Sequence, residues 1–188
     1  KYIPAFAETK VAVKKNNADG TVETVLEPQF RPMTVQDLMR HTSGLTYGAA
    51  SSNPVKQSYM DMKMAVPDQT NAEMVEKLAK LALLYQPGTH WEYSMSTDVL
   101  GRVVEVASGM TLDKCIEERI TKPLKMGETA FEAAADKKDR GARPQKEGPK
   151  NELPNIPVIT LATKWRSGGG GMVSTAADYA RFLQMFAN

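Results

Sequence analysis

The chain has 188 residues, enough to bury a core, and its 41% hydrophobic and 24% charged content excludes a disordered or fibrous protein. The 24 Lys and Arg against 22 Asp and Glu leave a formal charge of +2, and the densest charged run, Lys137 to Lys150, mixes both signs. That is not the basic stripe with which a protein grips phosphates, so nucleic acid is not expected as a partner. No run of about 18 apolar residues appears, so no membrane span is expected, and no charged start leads into an apolar signal segment. The single cysteine, Cys115, excludes an internal disulfide and a cysteine-rich metal site, and reads as a small apolar filler on a helix.

In chain order, Tyr2-Ile3-Pro4-Ala5-Phe6 reads as the interior of a larger protein. Lys10 to Lys14 and Thr21 to Val25 flank Asn16-Asn17-Ala18-Asp19-Gly20, whose Asp-Gly suits a hairpin turn. Thr34-Val35-Gln36-Asp37 has capping-box spacing and predicts a short helix with Leu38 and Met39 toward the core, ending near His41-Thr42-Ser43-Gly44. There His41 suits a helix C-terminus and Gly44 a left-handed turn. A second capping box, Thr70-Asn71-Ala72-Glu73, opens a helix carrying Met74, Leu78, Leu81 and Ala82 until Pro87-Gly88. The spacing predicts a further helix over Ser96 to Ser108, with Val99, Leu100, Val103, Val104 and Ala107 on one stripe and Gly109 as its cap. Thr111 caps another, with Leu112, Cys115, Ile116 and Ile120, and the last begins near Thr175 with Tyr179, Phe182, Leu183 and Phe186. Glu128 to Lys164 is polar and rich in Pro and Gly, an expected exposed and mobile segment.

Tested for chemistry, His41 and His90 have no metal-ligand spacing, so neither a metal nor another cofactor is expected. Gly168-Gly169-Gly170-Gly171 lacks the Lys-Ser or Lys-Thr of a phosphate loop, and no Gly-x-Ser-x-Gly elbow occurs. Residue chemistry alone leaves Tyr93 either a buried aromatic with a satisfied hydroxyl or a catalytic phenol, and leaves Ser94 either a site residue or a helix cap. Trp91 and Trp165 read as packing residues, Trp165 with the option of edging a pocket. Met60, Met62 and Met64 either fill a gap or line a pliable pocket.

Three segments together say more. Met33 to Leu38 leading into His41-Thr42-Ser43-Gly44-Leu45, then Pro87-Gly88 with Trp91-Glu92-Tyr93-Ser94 and Asp98-Val99-Leu100-Gly101, then Ser167 to Thr175 with Asp178 to Phe182, resemble in order and spacing the serine hydrolases of the β-lactamase and penicillin-binding-protein family, in particular class C β-lactamases and their esterase relatives. The resemblance implies an α+β fold, a helical region beside an antiparallel sheet, of which residues 1–188 would be an internal part: mostly the helical region, with a small β-hairpin and short strands.

The resemblance also implies acyl transfer, in which a Ser-x-x-Lys serine attacks a carbonyl while tyrosine and lysine manage the proton. Tyr93 matches that tyrosine. Ser94, Met95, Gly169 and Gly170 fall at positions that would contact substrate. None of the serines here has lysine three positions on. The family places that motif before Lys1 and a third motif, beside the substrate strand, after Asn188, so the chain alone is expected to be inactive. Met95 stands where many family β-lactamases carry asparagine, and a thioether supplies neither amide donor nor acceptor, which favours an ester over a β-lactam or peptide. The expected partner is a small-molecule ester or β-lactam-like substrate. A non-catalytic relative binding peptide or cell-wall fragments is the alternative. A missing sheet would leave apolar surface open to self-association.

Overall fold

The computed structural model describes residues 1–48, 52–63, 66–142 and 164–187. Met64, one of the three spaced methionines, lies outside them, as do residues 143–163 of the expected mobile segment. The chain divides into two compact units, Lys1–Leu112 with Lys164–Gly170, and Asp113–Thr163 with Gly171–Asn188.

The first unit opens on a 3-10 turn, Pro4–Glu8, followed by an antiparallel hairpin of β1 (Val11–Asn16) and β2 (Val22–Glu27), with Val11 opposite Glu27 and Asn16 opposite Val22. Gly20 has φ 82°, and the Asp19 carboxylate accepts from the Thr21 amide and hydroxyl at 2.9 and 2.6 Å. This is the local chemistry that the Asp-Gly pair predicts. Next come α1 (Val35–Met39), α2 (Pro54–Asp61), α3 (Asn71–Leu78) and α4 (Ser96–Ser108). Both predicted capping boxes form, Thr34 with Asp37 and Thr70 with Glu73. Asp37 is itself buried and takes a two-pronged bond from Arg31 at 2.7 and 2.8 Å. That hydrogen bond holds its carboxyl well below the usual range.

Three sequence expectations need correction. Met39 is exposed, because the short α1 turns only Leu38 inward. The helix through Met74 stops at Leu78 rather than continuing past Ala82. Leu83 pairs beside Val11, donating to Lys10 at 2.8 Å and accepting from Ala12 at 2.9 Å, and the Leu84 amide donates to Gly44 at 2.7 Å. These tertiary backbone bonds override helical periodicity. On α4, Val99 and Val103 are buried as predicted, while Val104 and Ala107 are exposed, and the small or polar Ser96, Asp98 and Gly101 are buried instead. The core gathers Phe6, Val11, Leu38, Leu45, Met74, Leu78, Leu83 and Val99.

The second unit holds α5, which starts at the boundary (Leu112–Ile116), a π turn (Glu117–Thr121), a 3-10 turn (Ala135–Arg140) and α6 (Ala176–Gln184). Glu128 pairs with Arg140 and Lys137. Buried Asp178 accepts from the Glu128 amide at 2.8 Å and from Arg181 at 2.7 Å. Tyr179, Leu183 and Phe186 of α6 are exposed. Among the described residues no helix is long and apolar enough to cross a membrane.

Candidate active site

Two segments of the first unit that are far apart in sequence are stitched together by backbone polar groups. The Gly88 amide donates to Thr42 at 2.7 Å, the Glu92 amide to His41 at 2.9 Å, and the Ser94 amide to Nδ1 of His41 at 3.2 Å. Because Nδ1 accepts from an amide, the neutral His41 ring carries its proton on Nε2. Side chains reinforce the seam: Glu92 accepts from the Thr46 hydroxyl at 2.8 Å and pairs with Lys56 at 2.8 Å. Ser43 and Ser96 share a hydrogen bond of 2.7 Å, as do Ser94 and Ser96. His41 sits at φ 55°, a left-handed conformation uncommon for a non-glycine residue, at the point where the chain turns to meet the tyrosine segment.

Burial alternates along this segment. Glu92 and Ser94 turn toward the His41–Thr46 stretch, and Trp91 and Tyr93 turn out, 69% and 58% exposed. Tyr93 is therefore not a buried aromatic. Its ring lies 4.9 Å from His41 and 5.3 Å from Tyr47, centroid to centroid. Trp91 is no core residue either, and its ring meets His41 edge-on with centroids 6.3 Å apart. Ser94 is fully buried, its hydroxyl 3.3 Å from His41 Nδ1 and 3.4 Å from the Ser96 amide, inside the seam between the two segments.

Beside Tyr47 opens a cavity of about 380 Å³. It is lined by Tyr47, Gly48, Tyr59, Met60, Met95, Trp165, Ser167, Gly169 and Gly170, with Asp98 and Lys63 as the charged groups. Of the residues predicted from sequence, Met95, Gly169 and Gly170 line this cavity, and Tyr93 adjoins it through Tyr47. The glycine run is pressed against α4: a Cβ on Gly168 would lie 2.2 Å from the Thr97 carbonyl oxygen. This is why the run carries no side chain there. Among the described residues no group of three or more His, Cys, Asp or Glu is placed to hold a metal.

Two residues of the cavity wall have no site role in the sequence reading. Tyr47 follows the His-Thr-Ser-Gly-Leu turn with no motif of its own. Its phenol is pushed up to about 12 by burial, by the Asp98 carboxylate and by the neighbouring Tyr93 hydroxyl, so it stays a neutral donor at pH 7. Asp98 occupies the third position of α4, where an acid is explained by the helix dipole alone. Only the fold shows it buried, accepting from the Ser167 hydroxyl and, at 3.4 Å, from the Gly169 amide.

With this geometry established, comparison with known proteins places the chain: residues 7–188 match the β-lactamase family model, and the chain belongs to that family. It is 33% identical over 180 residues to Protein Rv1367c of Mycobacterium tuberculosis, covering 94% of this chain and 43% of that protein. It is 28% identical over 215 residues to Esterase EstB of Burkholderia gladioli, covering 98% and 54%. Among solved structures it is similar to EstCE1, described as a hydrolase with promiscuous acyltransferase activity, at a TM-score of 0.72 and 25% identity over 98% of this chain and 49% of that one. The chain thus spans about half the length of the relatives it matches. The fold is the α+β fold of the β-lactamase and transpeptidase proteins.

Proposed function

We propose that this chain carries the tyrosine-bearing part of a serine hydrolase that cleaves carboxylic esters through an acyl-enzyme, with Tyr93 as the general base. The observation that carries this reading is Tyr93 itself: an exposed phenol at the family's tyrosine position, braced by the His41 seam, beside a largely apolar cavity of about 380 Å³. In the reaction the phenolate takes the proton of the attacking serine as its oxygen bonds to the substrate carbonyl, then returns it to the departing alkoxide. Water afterwards releases the acyl group. A phenol with an ordinary pKa of about 10 needs a nearby cation for this work, which the family's Ser-x-x-Lys lysine supplies. No such motif is among these 188 residues, so the chain by itself is inactive in this account.

An ester is favoured over a β-lactam because Met95, on the cavity wall and buried, offers a thioether where an amide would hold the substrate's amide group. The likeness to Esterase EstB supports the same preference. In the catalytically complete protein, kcat/KM for a chromogenic short-chain ester is expected to exceed that for a chromogenic cephalosporin by at least about tenfold. An equal or reversed ratio removes the ester assignment.

A further inference from the structure

The cavity beside Tyr47 has one charge withdrawn from water. Asp98 is 2% exposed, yet its carboxylate forms part of the cavity wall. A buried carboxylate persists only where donors and favourable dipoles meet it. Here the Ser167 hydroxyl and the Gly169 amide donate to the same carboxylate oxygen, and the N-terminal turn of α4 adds about half a positive charge. Both donors are neutral groups, so they satisfy the carboxylate without bringing a formal countercharge. The influence of Asp98 extends to a second lining residue, since it hydrogen-bonds with the Tyr47 phenol and raises that phenol's pKa through its charge. The other charged lining group, Lys63, is exposed, so water and salt screen it far more than they screen Asp98. The larger uncharged side chains of the wall are aromatic or thioether, from Tyr59, Met60, Met95 and Trp165, with Ser167 and glycines completing it.

We infer that Asp98 sets the charge selectivity of this cavity, which accepts neutral or cationic acyl chains and rejects anionic ones. The inference rests on the reading that the cavity receives the acyl part of an ester. Two like charges about 5 Å apart in a partly solvated site, one of them half offset by a helix terminus, differ from a neutral pairing by roughly ten- to a hundredfold in affinity.

The test uses three probes of equal length, hexanamide, 6-aminohexanamide and adipamate, titrated into the 188-residue chain. Binding is followed through Trp165 emission in a Trp91→Phe background. The neutral and cationic amides are expected to bind at least about tenfold more tightly than adipamate. Asp98→Asn should bring all three within about threefold, and Lys63→Gln should leave the preference against adipamate in place. Equal binding of the three probes by the unaltered chain, binding of none of them, or unchanged discrimination in a folded Asp98→Asn chain would each overturn the inference. If Asp98→Asn does not fold, the unaltered and Lys63→Gln chains still decide it. Discrimination without ester hydrolysis in the complete protein counts against the proposed function alone. Hydrolysis without discrimination counts against the role of Asp98 alone.

Discussion

Tyr93→Phe is expected to lower kcat for ester hydrolysis in the catalytically complete protein by about two to four orders of magnitude, the span of a lost general base. The change deletes one oxygen, and with it the hydrogen bond to Tyr47, but leaves the ring contacts with His41 and Tyr47, so folding should be nearly unaffected. The 58% exposure of Tyr93 means that its hydroxyl is not holding the core together. Tyr47→Phe separates the two phenols. Tyr47 is pushed up to about 12 and stays protonated, so its loss removes a donor rather than a base and should cost less than the loss of Tyr93. KM should move little for Tyr93→Phe, because an interaction made mainly in the transition state appears in kcat. A rate within about threefold of the unaltered protein removes Tyr93 from the chemistry.

Gly44→Ala is expected to cost about 3 kcal/mol or more of stability, through two effects that add: a left-handed residue gains a Cβ, at about 1–2 kcal/mol, and that atom must be fitted into a filled space, at about 1–3 kcal/mol. Gly44 sits at φ 85°, and its Cβ would fall 2.1 Å from the Tyr85 carbonyl oxygen, a backbone atom that cannot swing aside. The Gly44 carbonyl also accepts from the Leu84 amide at 2.7 Å, so any shift loosens the seam beneath Tyr93. Gly20→Ala is the control, with φ 82° and open space around its Cβ, and should cost only the conformational part. In thermal unfolding the two variants should differ by several degrees. Equal midpoints would mean that the close approach to Tyr85 carries no energetic weight.

What was legible in the sequence is what neighbouring residues decide. The hairpin at Asp19-Gly20, both capping boxes, the Thr175 cap of α6 and the left-handed Gly109 after α4 follow from chemistry within a few positions. The proposed role of Tyr93 rests on ordered motifs rather than on periodicity. What was not legible depends on partners far along the chain. The Leu81–Leu84 run leaves its helix because Lys10, Ala12 and Gly44 take up its backbone groups, and α4 buries Ser96, Asp98 and Gly101 because Ser43, Ser167 and Gly168 meet them. Asp98 was hidden for the same reason, since an acid in a first helical turn is already explained locally. Tyr47 was hidden because its neighbours in space, Tyr93 and Asp98, are about 50 residues away.

Incubating the 188-residue chain with a chromogenic short-chain ester, while recording intact mass, tests the central claim most directly. A tyrosine-bearing part of an acyl-transfer site, with no Ser-x-x-Lys pair among its residues, is expected to show no turnover and no added acyl mass. Turnover accompanied by an acyl group on one of the chain's own serines would contradict the assignment of Tyr93 and place the nucleophile where this account has none.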